Sequence, residues 1–309
     1  KQLFSFFKIM PASKERKYRQ NGGMFFLVNG KESKEYEKMN TDEMYDMFKL
    51  IMGSATSIRL LSEFSLYGFV FEISMAPDGP IQIMRQTRNV TGDPLTPKRA
   101  SKRERTQQYQ QLTSFCLKIV GIGKGSKTYF SLDGTKMKNK SLATFVECDT
   151  EVVVTRHVWD RMTRYNCAEV VPDAGFGFNI YYNEFEKLFQ RFIITPRDVS
   201  SHVIKWIIDN FDDIYLTVME MASGCDTLSA YIERMETSTT TQTIAQESIK
   251  NASMEIIAYL IAMWIRTGIM TTDGHSKNVM VNATGPKFVV HEAFITYLLD
   301  LGRIFNRKI

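Results

Sequence analysis

Two aspartates, an asparagine and a histidine stand between apolar flanks in TTDGHSKNVMV (271–281) and in YLLDLGRI (297–304). A carboxylate drawn towards an apolar interior is costly unless something neutralises it. A cation is the simplest neutralising partner, and a cation held by acids can in turn hold phosphate. The question for the upstream sequence is whether it supplies what a metal-bound phosphate site would need.

A length of 309 residues suits one large or two medium domains. Apolar residues make up 44% and charged residues 24%, which excludes global disorder. The net charge of +5 comes from local clusters, which weighs against a general nucleic-acid binder with one basic face. Cys116, Cys148, Cys167 and Cys225 are scattered, without a CxxC pair or zinc-finger spacing. They read as buried, reduced thiols in a reducing, cytoplasmic setting. No apolar run reaches the ~18 residues that a bilayer demands, so no transmembrane segment is expected. IIAYLIAMWI (256–265) reads instead as a buried helix, and the first residues lack a signal-peptide core.

Along the chain, NTDEMYDMFKLIMG (40–53) opens on a capping residue and places Met44, Met47, Phe48 and Ile51 on one helical face. SIRLLSEFSLYGFVFEISM (57–75) predicts two strands joined by a tight turn around Gly68. Residues 76–112 are polar and carry Lys98, Arg99, Lys102, Arg103 and Arg105. That composition predicts a mobile surface insertion. The alternative is a basic arm, 98–105, for an acidic partner, an anionic membrane or nucleic acid. TSFCLKIVGIG (113–123) is a strand with Lys118 among apolar neighbours, and 141–162 reads as helix. VVPDAGFGFNIYY (170–182) is strand and turn, two amphipathic helices follow within 183–212, and IYLTVMEM (214–221) is a strand. TLSAYIERM (227–235) and SMEIIAYLIAMWIRTG (253–268) are helices, the second stopped by Gly268.

That order of elements, with FCLKIV, EVVVTRHVWDRM, VMEM, TTDGHSKNVMV and DLG, resembles the protein kinase-like family. The resemblance implies an α+β, bilobal fold with insertions in its N-lobe and a reduced or truncated C-lobe. Residues 1–56 would be an N-terminal extension, 57–221 the N-lobe with 76–112 as its mobile basic insertion, and 222–309 an incomplete C-lobe. Lys118 would meet the α/β-phosphates of ATP, and Glu151 would hold it, with Glu147 as the rival one turn earlier. Gly68 and Val70 would cover the nucleotide, and backbone groups at Glu220 and Met221 would meet the adenine edge. Asp273 falls on the catalytic base, and Asn278 and Asp300 fall on the Mg²⁺ ligands.

Several features depart from the family pattern. Only Gly68 of three loop glycines is present, and Thr271 and Thr272 replace the catalytic-loop His and Arg. The resemblance implies an ATP- and Mg²⁺-dependent phosphotransferase acting on protein Ser/Thr. The poor glycine loop favours instead a pseudokinase that binds a partner protein. His275, in D-x-H-x-x-N, is also similar to lipid and small-molecule phosphotransferases. Compact kinases with weak glycine loops are similar to those of large DNA viruses, which implies a virion-associated location as an alternative.

Overall fold

The structure, a computed structural model, describes residues 23–32, 38–62, 68–87, 108–122, 129–130, 136–137, 143–164, 171–194, 199–221, 225–237, 242–269, 276, 278–282 and 285–287. The chain opens with β1 (Gly23–Val28), β2 (Lys31–Glu32), α1 (Thr41–Ser54), β3 (Ala55–Ser62), β4 (Phe69–Met75) and β5 (Ile81–Thr87). Next come β6 (Gln108–Leu112), β7 (Ser114–Ile122), β8 (Tyr129–Phe130), β9 (Lys136–Met137), α2 (Phe145–Arg164) and β10 (Ala174–Tyr181). The remainder is α3 (Tyr182–Ile194), α4 (Val199–Asn210), β11 (Asp213–Glu220), β12 (Asp226–Thr227), α5 (Leu228–Thr237), α6 (Gln242–Thr267), β13 (Met280–Asn282) and β14 (Gly285–Lys287). The fold class is α+β, with antiparallel pairing throughout these sheets.

The central sheet has strand order β10-β11-β7-β4-β3. Its middle strand, SFCLKIVGI, is buried on both faces, which is why it reads as an almost unbroken apolar run. Phe115, Leu117 and Ile119 enter the main core. Cys116 and Val120 join a smaller cluster on the other face, with Cys148 and Val152 of α2.

The main-core face is covered by α1, α3 and α4, through Phe48, Phe185, Phe189, Val203 and Ile207 among others. Helix α1 starts as its sequence predicts. Glu43 N donates to Asn40 Oδ1 at 2.8 Å and Asn40 N donates to Glu43 Oε2 at 2.9 Å, a reciprocal cap. Its buried residues are Met47, Phe48, Ile51 and Met52.

A second sheet, of order β2-β1-β5-β6, draws its strands from two stretches that the sequence reading placed outside the regular core. Residues 81–87 and 108–112, assigned to a mobile insertion, form strands, and Ile81 and Ile83 are fully packed in the main core. Seven residues of alternating IQIMRQT carry too little apolar weight to stand out between Pro80 and the polar run that follows. The basic cluster 98–105 lies outside the described residues. Residues 23–32, assigned to an extension, supply β1 and β2 of the same sheet. Asn29 and Gly30, both at positive φ, make the tight turn between them. Phe26 of β1 meets Phe115 of β7 edge-on at 6.0 Å, joining the two sheets.

Helix α6 ends at Gly268, whose φ of +72° and N–H to Trp264 O at 2.8 Å form the expected left-handed cap. The expectation that the helix is buried holds for one side only. Ile256, Ala262 and Met263 pack inward, whereas Met254, Ile257, Ile261, Trp264 and Ile265 are exposed. No helix among the described residues is long and apolar enough to cross a membrane.

Candidate functional site

Lys118 is central twice over. It lies on the third strand of the central sheet in chain order, and its register partners are Val70 of β4 and Thr217 of β11. Its side chain is almost fully buried, and Nζ lies 2.8 and 3.0 Å from the two carboxylate oxygens of Glu151. A buried ammonium needs such a partner, because desolvation alone would drive it to the neutral form. Glu151 is only half-buried, so one side of the pair still faces solvent.

The rival glutamate has a different task. Glu147 accepts from Thr144 N at 2.7 Å and from Thr144 Oγ1 at 2.9 Å, while its own N–H donates back to Oγ1 at 3.3 Å. It is the capping acid of α2. Helix α2 is further fixed by Tyr215, whose hydroxyl donates to Asp149 Oδ1 at 3.2 Å. The absence of a side chain at Gly177 leaves room for that ring, since a Cβ there would lie 2.7 Å from the Tyr215 hydroxyl.

Beside Lys118 the sheet offers an apolar wall of Val70, Cys116, Met219 and Met221. Cys116 Sγ and Met221 Sδ are 3.2 Å apart. Burial, reinforced by Glu72 and Glu220, pushes the Cys116 thiol up to about 12, so it acts as a small apolar group rather than a nucleophile. Gly68 sits at φ +148°, and a Cβ there would fall 2.6 Å from Ile119 O. The turn into β4 therefore presses on β7 so closely that glycine is required.

Glu220 and Met221 occupy the end of β11, next to this wall, but only partly as expected. The Glu220 N–H already donates to Asp173 O at 2.8 Å, so it is not a free donor for a ligand. The Glu220 side chain is buried and pairs with Arg85 at 2.9 Å. Met221 is the member of the pair that faces the wall. Arg85 and Asp173 were not legible as site residues, since each stands alone in an unremarkable strand or loop sequence.

Of the second group of predicted residues, Asn278 is described and half-buried, just before β13. The backbone around it is fixed: Leu228 N donates to Val279 O at 2.7 Å and Ser229 N to Ser276 O at 3.1 Å. Val279 and Val281 share a core with Val154, Val158, Trp159 and Met162 of α2 and with Met263 of α6. Helix α2 thus carries Glu151 to Lys118 and packs against the strand that follows Asn278. Asp273, His275 and Asp300 lie outside the described residues. Among the described residues no group of three or more His, Cys, Asp or Glu could hold a metal ion. A scan against protein-family models finds no match, and a search of curated proteins finds no significant relative.

Proposed function

We propose that the chain is an ATP-dependent phosphotransferase of the protein kinase-like kind, with a Ser/Thr hydroxyl of a protein as acceptor. The observation that carries this reading is the buried Lys118–Glu151 pair, strand to following helix, beside an apolar wall and with one side open to solvent. Lys118 would meet the non-transferred phosphates, and Glu151 would keep its ammonium charged and aimed. Val70, Cys116 and Met221 would line one face of the purine, and Gly68 would let the covering turn approach. Asn278 and Asp300 offer the hard oxygen donors that Mg²⁺ prefers, which fits the donor set to that ion. Bound Mg²⁺ would neutralise phosphate charge; Asp273 would orient the acceptor hydroxyl.

His275 favours a second acceptor class, a lipid or small-molecule hydroxyl, by its place in D-x-H-x-x-N. The basic segment 98–105 remains a contact for an acidic partner or nucleic acid under this reading. The buried thiols Cys116 and Cys148 suit a reducing, cytoplasmic compartment or a virion assembled there. The test is transfer of radiolabelled γ-phosphate from Mg²⁺–ATP to protein, inositol-lipid and aminoglycoside acceptors. Transfer by wild type should fall at least ~10²-fold in Asp273→Asn while ATP binding persists. Binding without transfer to any acceptor would leave the chain as a nucleotide-binding pseudokinase.

A further inference from the structure

One buried charged cluster has no role in the chemistry above. Arg85 Nε lies 2.9 Å from Glu220 Oε1, with both side chains buried. Asp173 N donates to the other Glu220 oxygen at 3.3 Å, and Glu220 N donates back to Asp173 O. Asp173 Oδ2 accepts from Met24 N at 2.7 Å. Met24 and Arg85 are register partners on β1 and β5. One rung of the second sheet therefore grips both the entry to β10 and the exit of β11.

An apolar set could fill this space at lower desolvation cost. What the charged set adds is an anchor for the end of β11. Side chains alternate along β11: Leu216 and Val218 enter the main core, while Tyr215 and Met219 face α2 and the wall. Glu220, register partner of Phe115, continues that alternation on the main-core side, where Arg85 holds it, and the next residue, Met221, falls on the wall against Cys116. Strand alternation gives Glu220 its face, and the charged set anchors it there at the last rung of the β11–β7 ladder, just before Met221.

We propose that the Arg85–Glu220 pair is a positioning device for the base-binding end of the nucleotide site, built from the second sheet and independent of the phosphate-binding pair Lys118–Glu151. This rests on the nucleotide reading above. Arg85 touches no ligand; it acts through the backbone at Glu220–Met221. Its loss should weaken recognition of the base and spare recognition of the phosphates.

The test titrates the full chain with Mg²⁺–ATP and with Mg²⁺–tripolyphosphate, which carries the phosphates without the base. Two variants are compared with wild type: Arg85→Met/Glu220→Met, which removes both charges together and avoids a lone buried carboxylate, and Arg85→Lys. The ratio of ATP to tripolyphosphate affinity should fall roughly tenfold in the double variant, the equivalent of about one lost hydrogen bond. Tripolyphosphate affinity should hold, and Arg85→Lys should give an intermediate ratio. A folded double variant with the wild-type ratio overturns the proposal and leaves the nucleotide reading standing. Equal loss of both ligands also overturns it, because it marks general damage. Should the double variant not fold, a wild-type ratio in Arg85→Lys overturns it. Wild-type protein that binds neither ligand overturns the nucleotide reading and this inference with it.

Discussion

Two buried ion pairs flank the central sheet, and they are built differently. Lys118–Glu151 joins a strand to the helix that follows it, and Glu151 keeps a side towards solvent. Arg85–Glu220 joins two sheets, has both side chains buried, and has Asp173 beside it, whose N–H donates to Glu220. The first pair keeps one carboxylate in reach of solvent; the second has both partners enclosed by protein. On the nucleotide reading proposed above, the accessible pair would serve a ligand and the inner pair the architecture.

The sharpest way to break this contrast is to remove one partner from the inner pair. Arg85→Met leaves Glu220 and Asp173 together without their guanidinium and should cost about 3–5 kcal/mol, read from urea unfolding. A loss below about 1 kcal/mol would mean that the pair is solvated and the contrast false.

Asp173 gives the next largest effect. Burial pushes its carboxyl up to about 6, against the lowering influence of Arg156, the Met24 N–H and Arg85. An acid raised in the folded state favours the protonated folded form. Its contribution to stability is therefore greatest below the unfolded value of 3.8 and declines as pH rises through about 6. The decline should amount to about 3 kcal/mol, and Asp173→Asn should abolish it. An unchanged pH slope in Asp173→Asn would assign the titration to other groups.

The smallest effect separates the two glutamates of α2. Thr144→Ala, which breaks the cap with Glu147, should cost about 1 kcal/mol and leave nucleotide affinity unchanged. Glu151→Gln should weaken Mg²⁺–ATP binding at least roughly tenfold. Thermal melts and titrations on the same samples distinguish these outcomes. Equal effects on binding would remove the distinction between capping and site glutamate.

The accessible pair was expected only through the family resemblance carried by FCLKIV and EVVVTRHVWDRM, with Glu147 as the rival to Glu151. Lys118 alone, a lysine inside an apolar strand run, carried little signal. The reciprocal cap of α1 and the glycine stop of α6 were legible because their signals are local. The inner pair was not, because Arg85 and Glu220 meet only when two sheets pack. β5 was hidden by its seven-residue length, and β1–β2 by its place in what looked like an extension, although Asn29–Gly30 is a strong hairpin signal. The run at 256–265 suggested burial all round, yet Ile257, Ile261, Trp264 and Ile265 face outward while Ile256 and Met263 face in. Apolar density alone does not report which side of a helix finds a partner.

The central claim is that Lys118–Glu151 is a nucleotide site and not merely a structural pair. The most direct measurement is the Mg²⁺–ATP-induced rise in melting temperature for wild type and for Lys118→Met/Glu151→Leu, an apolar replacement that should preserve folding. Ligand at about 100 times its Kd should stabilise wild type by about 2.7 kcal/mol. The account predicts that rise in wild type and none in the folded double variant. An equal rise in both, or none in either, would contradict it.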